Sequence, residues 1–240
     1  MPSTNPGFRS MEILVTGGTG YVGSRLIPQL LERGHRVRAL ARAGSEKKVP
    51  AGAIPVIGNA LHADSVARAL QPGDTLVHLV GTPHPSPRKA REFEQVDLAS
   101  IRASVEAGKR AAISHLVYVS VAQPAPVMRA YVAARAAGEA LIRDCGTSAT
   151  VLRPWYVVGP GHRWALALVP FYGIARLLPP TRDGAMRLGL VTIDQMVSAL
   201  TITVESPPPP RGVRVIEVPE IRSLRLPPQP SSLAAPASPA

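Results

Sequence analysis

Cysteine is nearly missing from this chain of 240 residues: Cys145 stands alone. That excludes a disulfide framework and a thiolate metal cluster, and it fits a reducing, cytoplasmic compartment. Acidic residues are also scarce, 16 against 27 lysines and arginines, for a formal net charge of +11. The basic residues are spread along the whole chain, with no interleaved aromatic patch and no recognition-helix signature. Phosphate-bearing small molecules are therefore the expected partners, rather than nucleic acid. Long apolar runs are missing as well. The longest, "WALALVPFYGIARLLPP" at 164–180, contains Pro170 and Arg176 and is too short to span a bilayer. A covered helix, forming a hydrophobic wall for a substrate or partner, is expected there in preference to a peripheral membrane contact. The six histidines, His35, His62, His78, His84, His115 and His162, have no metal-ligand spacing, so no metal site is expected. Residues 1–10 are polar and read as a flexible leader, not a signal peptide.

Against this background stands "ILVTGGTGYVGSRL", Ile13 to Leu26. Ile13, Leu14 and Val15 form the short apolar run of a strand covered on both faces. Glycines follow at 17, 18, 20 and 23, and then a helical pattern begins. Both Gly18-x-Gly20-x-x-Gly23 and Gly17-x-x-Gly20-x-x-Gly23 are satisfied. In either frame, a strand leads through a tight turn into a helix whose N-terminal N–H groups face an anion, for which a dinucleotide pyrophosphate is suited. The turn assigns Gly17, Thr19, Gly20, Tyr21, Val22 and Gly23 to a nucleotide site.

Strand and helix signals then alternate. "SRLIPQLLERGH" places Leu26, Leu30 and Leu31 on one helical face, with Gly34 as its stop. "RVRALAR", "AIPVIGN", "DTLVHLVG", "SHLVYVSVA" and "ATVLRPWYVVG" supply strands two to six, and residues 93–112 carry helical spacing at Val96, Ile101 and Val105. This order predicts an α/β fold: a Rossmann-like, doubly wound parallel sheet at 11–225, with much of a small C-terminal substrate or partner lobe at 155–200. Pro207 to Pro210 closes a helical stretch, "GVRVIEVPEI" adds a strand, and the Pro/Ser/Ala-rich residues 226–240 read as a disordered tail.

The glycine motif, "GNALHADSV", "VHLVG", "LVYVS", Tyr131-x-x-x-Arg135 and "VLRPWYVVGPG", in this order, resemble the short-chain dehydrogenase/reductase superfamily, specifically its extended and atypical NAD(P)H-binding branches. The atypical group includes NmrA-like nucleotide sensors and proteins akin to an accessory subunit of respiratory complex I. The resemblance implies that Asn59 and Ala60 flank the adenine, that Gly81 lets the backbone pass beneath the nucleotide, and that Pro154 supports the nicotinamide. It also implies that Tyr131 is a proton donor, assisted by a charge at Arg135 and by Ser120 binding the substrate carbonyl. The family's usual partner at the fourth position is lysine; here it is arginine. At the end of the second strand there is no acid to hold a ribose 2′-hydroxyl, and Arg42 is suited to a 2′-phosphate, so NADP is expected over NAD. Two functions are carried forward: an oxidoreductase acting on a carbonyl or quinone-like molecule, and a non-catalytic NAD(P)H sensor or accessory subunit. "TPHPSPRKAREF", after Gly81, is expected to be a solvated basic loop.

Overall fold

The computed structural model describes residues 10–125, 127–161 and 188–227. Its strands are β1 (Glu12–Thr16), β2 (Arg36–Ala41), β3 (Ile54–Ile57), β4 (Thr75–His78), β5 (His115–Val119), β6 (Ala149–Arg153), β7 (Tyr156–Val158), β8 (Leu190–Thr192) and β9 (Val213–Glu217). Seven of them form one sheet in the order β3-β2-β1-β4-β5-β6-β9, and every pairing is parallel. The order reverses direction between β1 and β4. In an open parallel sheet, that switch point opens a crevice beyond the strands' carboxyl ends.

Both faces of the sheet are covered except at the edge strand β3, where Ile54 and Ile57 are exposed, which is why its inner strands read as apolar runs. Ile13 and Val15 of β1 point to the face carrying α1 (Gly23–Glu32) and α6 (Ile193–Glu205), where they join Leu26, Ile27, Leu30, Met196 and Leu200. Leu14 points to the other face, with Val66 of α2 (Ala63–Ala69), Ile101 and Val105 of α4 (Ala99–Ala111), and Ile142 of α5 (Arg129–Asp144). Leu31 of α1, expected on the buried face, lies half-buried at its margin while Ile27 takes the inner position. Gly34 ends the helix with φ of +80°.

Three expected elements differ in detail. "ATVLRPWYVVG" is not one strand but two, because buried Pro154 has no N–H for the ladder. Its carbonyl accepts from Ala122 N at 2.9 Å, and the chain beyond it leaves the main sheet so that β7 pairs with β8. "GVRVIEVPEI" is a strand only as far as Glu217. Pro219 then lies in the first turn of α7 (Val218–Ser223), where its fixed φ suits a helix start. Ahead of α4, a single short turn, α3 (Ala90–Glu92), runs into a π-helical stretch at Phe93–Leu98. The wider turn rotates the face, so Phe93 and Asp97 are buried while Val96 is only half-buried. The apolar segment 164–180, most of the proposed lobe and the tail from residue 228 lie outside the described residues. No helix among the described residues is long and apolar enough to cross a membrane.

Candidate nucleotide site and its buried charge network

The glycine turn sits at the switch point, and its glycines have different physical roles. Gly17 has φ of +76°, and a Cβ there would lie 2.8 Å from the Leu79 carbonyl carbon, in the chain leaving β4. It is therefore fixed as glycine both by conformation and by the close passage of two backbones. A Cβ on Gly23 would lie 2.6 Å from Gly18 Cα, so this glycine lets α1 start directly against the turn. Gly18 is packed against Ile27 and Ala39. A Cβ on Gly20 would meet only the Gly17 carbonyl, at 3.2 Å, and Gly20 and Thr19 are exposed. Here the lack of a side chain serves no internal packing. It leaves a bare backbone beside the first turn of α1, where the N–H groups of Ser24, Arg25 and Leu26 bond to the Gly20 and Val22 carbonyls. The frame Gly17-x-x-Gly20-x-x-Gly23 thus supplies the tight turn, the approach to a ligand and the close helix packing that a dinucleotide cradle requires. Tyr21 and Val22, half-buried, complete the turn; Arg25 lies over the Tyr21 ring, 4.3 Å from its centroid, and donates to the Tyr21 carbonyl at 2.8 Å.

Other assigned positions line the same carboxyl edge. Arg42 follows β2, is exposed, and its guanidinium has no ion-pair partner among the described residues. Asn59 and Ala60 follow β3 half-buried; Asn59 Oδ1 accepts from Leu61 N at 3.0 Å, so it shapes its own turn. Pro154 follows β6, as described above.

The region near Tyr131 has a buried charge network that its sequence spacing only partly disclosed. Tyr131, in the first turn of α5, is half-buried and tilted against Phe93, with ring centroids 5.0 Å apart. Arg135, one turn later, brings its guanidinium carbon to 5.2 Å from the Tyr131 ring centre. Its two terminal nitrogens are otherwise engaged: Nη2 donates to Asp97 Oδ1 at 2.6 Å and Nη1 to the Val119 carbonyl at 2.9 Å, while Nε is buried without a hydrogen-bond partner among the described residues. Asp97 is fully buried and also accepts from Thr82 N at 3.0 Å and Thr82 Oγ1 at 2.6 Å. That anchors the first part of the loop after Gly81. Burial works against the charge of Arg135, yet the surrounding Tyr131 and Tyr118 phenols and the Asp97 carboxylate hold it above its ordinary range. Gly81 has a role that spacing did not reveal: a Cβ there would collide with Arg135 Nη2. Its missing side chain makes room for the guanidinium.

Ser120, directly after β5, is buried and donates to Glu139 Oε1 at 2.6 Å. Gln123 Nε2 donates to the same oxygen at 2.6 Å, and Arg153 reaches Glu139 through Nε at 2.9 Å and Nη2 at 2.5 Å. Burial favours the neutral acid, but hydrogen bonds from Arg153 and Ser120 and the nearby arginine charges hold the Glu139 carboxyl below its usual range. Arg153 also donates to Glu217 of β9 at 2.8 Å. Asp97, Glu139 and Arg153 were therefore missed as site-shaping residues. Two of the three left a signal: Tyr131, Arg135 and Glu139 repeat every four residues on one helical face, and Arg153 is a charge at the end of an otherwise apolar strand.

His78, on β4, behaves as a satisfied core residue. It is fully buried, with Nδ1 3.0 Å from Thr16 Oγ1 and Nε2 3.2 Å from Ser100 Oγ. Burial, aided by Arg135, lowers its pKa to about 3.

Residues 17–162 match a family model described as NAD(P)H-binding. Among curated relatives, a ceramide reductase of Caulobacter vibrioides is 25% identical over 203 residues, covering 81% of this chain and 61% of that protein. A 4-hydroxy-2-methyl-3-oxo-4-farnesyl-3,4-dihydroquinoline-1-oxide ketoreductase of Stigmatella aurantiaca is 28% identical, covering 62% of this chain and 51% of its own length. The chain thus spans between half and two thirds of these two relatives. Of solved structures, MoeE5 in complex with UDP-glucose and NAD has a TM-score of 0.64 at 23% identity, covering 88% of this chain and 79% of that one. The Thermus thermophilus UDP-glucose 4-epimerase complex with NAD has a TM-score of 0.62 at 20% identity, covering 88% and 81%. At such identities, the two structures support the fold. With the glycine turn at the switch point and more than half its length matched, the chain belongs to the NAD(P)H-binding family.

Proposed function

We propose that this protein is an oxidoreductase that reduces a carbonyl or quinone-like small molecule with NADPH. The observation that carries this reading is the position of Tyr131, held by Phe93 and lying against the fixed charge of Arg135, near the carboxyl edge that bears the glycine cradle. A phenol beside a permanent cation is suited to give its proton to an oxygen that gains negative charge. The cradle of Gly17, Thr19, Gly20, Tyr21, Val22 and Gly23 would hold the dinucleotide, with Asn59, Ala60 and Pro154 along the same edge. When bound, the nicotinamide supplies the hydride. NADPH is preferred over NADH in this reading because Arg42 offers an unpaired guanidinium fork for a 2′-phosphate and no acid stands at the end of β2. Much of the substrate lobe is assigned to 155–200. The relatives named as reductases support the class of reaction.

Arg135 plays an electrostatic part in this mechanism and does not bind the ribose, because Asp97 and Val119 occupy its fork. Ser120 donates its proton to an ionised carboxylate, so toward the site it offers lone pairs only. These two facts favour a second reading, an NAD(P)H sensor or accessory subunit without hydride transfer. Turnover of a panel of ketones, aldehydes and quinones with NADPH separates the two. The oxidoreductase reading expects activity that Tyr131→Phe removes while NADPH affinity holds. Activity that survives the substitution overturns the role of Tyr131, and a wild-type protein inactive across the panel favours the sensor.

A further inference from the structure

A cavity of about 460 Å³ opens beside the start of α5, lined by Gln123, Pro124, Ala125, Arg129, Val132 and Arg153 among others. It is broadly open to solvent. The walls are mainly apolar, and Val127, in the same loop, is one of four large hydrophobic side chains exposed among the described residues, at 52%. The charged groups in its lining, Arg129 and Arg153, are both cations. Arg129 is exposed and has no ion-pair partner among the described residues. Arg153 directs three N–H groups at Glu139 and Glu217, which leaves further donors of its fork available. The two nearby carboxylates, Glu139 and Glu217, are themselves paired with Arg153, and Arg143 adds a third positive charge beside Glu139. Among the described residues, no carboxylate belongs to the cavity lining. An apolar pocket with an unpaired arginine at its margin complements an aliphatic molecule ending in an oxyanion, because a guanidinium fork matches carboxylate and phosphate geometry.

We propose that this pocket binds an aliphatic carboxylate or phosphate, and that Arg129 holds its anionic end. Arg129 lies two residues before Tyr131 on α5, so the two side chains leave the helix on different sides, and Tyr131 does not line the pocket. The binding is therefore separate from the oxidoreductase reading.

The test is calorimetric titration of the full chain, with NADPH present, using octanoate, octyl phosphate and octanol. These are measured on wild type, Arg129→Gln and Arg102→Gln, the last being a control for the general positive field on an exposed arginine of α4. The proposal expects at least one of the two anions to bind more tightly than octanol, and the tighter of the two names the head group. Arg129→Gln should weaken that anion about tenfold or more, the loss of one charge-assisted contact, with octanol unchanged and Arg102→Gln near wild type. Octanol binding as well as both anions, or equal weakening by the two substitutions, overturns it. Selective binding lost in Arg129→Gln, in a protein with no turnover on any carbonyl, leaves the pocket standing and removes only the oxidoreductase reading.

Discussion

Arg135→Lys would restore the tyrosine–lysine pair usual in the superfamily, yet the structure predicts a loss. The arginine is buried, and its fork simultaneously satisfies Asp97 Oδ1 and the Val119 carbonyl. A shorter ammonium keeps the charge but cannot span both acceptors in the space cleared by Gly81. One buried acceptor is then left unsatisfied, which costs about 1–3 kcal/mol. At about 2–4 °C per kcal/mol for a domain of this size, melting should fall by about 2–12 °C. Arg135→Met, which leaves Asp97 buried without its counter-charge, should cost more, about 3–5 kcal/mol. Differential scanning calorimetry of the three proteins, with NADPH titrations on each, measures both consequences. An Arg135→Lys protein melting within about 1 °C of wild type, or one as unstable as Arg135→Met, would refute the claim that the guanidinium fork is the structural requirement.

Other outcomes follow from the same geometry. Gly81→Ala should destabilise by about 1–3 kcal/mol through its collision with the Arg135 guanidinium, read by urea denaturation; an unchanged midpoint would show that the network yields freely. His78 and His115 have pKa values lowered to about 3 and about 4, mainly by burial, so both stay neutral in the fold while the unfolded chain takes up protons below pH 6.5. Their contribution is therefore complete above pH 6.5 and declines as pH falls, each by about 1.4 kcal/mol per unit until the folded value is reached. Stability at pH 5 should be lower than at pH 7 by about 4 kcal/mol from these two groups together, and equal urea midpoints at the two pH values would contradict their burial as neutral rings. Arg42→Ala should cut the preference for NADPH over NADH by about tenfold, measured by fluorescence titration, and an unaltered ratio removes Arg42 from that role.

What the sequence disclosed follows from how local each signal is. The parallel sheet was legible because its inner strands are buried on both faces and its turns carry glycine, so apolar runs and breaks map directly to elements. Gly17 and Gly23 were legible for the same reason, as turn geometry depends on neighbours only a few residues away. The break at Pro154 was harder to see, because the apolar residues on either side continue the strand pattern while the missing N–H diverts the chain. Asp97 was hidden because the π-helical stretch shifts the face on which a regular helix would place it. Gly81 was recognised as a position where a side chain would intrude, but its neighbour is Arg135, far away in sequence; such a contact exists only once α5 packs beside β5. Ser120 stands at the expected strand end; Glu139 shares a helical face with Tyr131 and Arg135, but its pairing with Ser120 and Arg153 crosses elements and is not written in that spacing.

The claim at the centre is that a nicotinamide dinucleotide lies on the Gly17–Gly23 turn, with Gly20 as the bare approach. Isothermal titration of NADPH into Gly20→Val, with circular dichroism and Gly23→Val alongside, tests it most directly. Gly20→Val should stay folded, because a Cβ there meets only one carbonyl, at 3.2 Å, and should lose binding, because it fills the ligand's space. Gly23→Val should lose the fold itself, since a Cβ there runs into the Gly17–Gly18 backbone. A folded Gly20→Val protein that binds NADPH as wild type does would contradict the account.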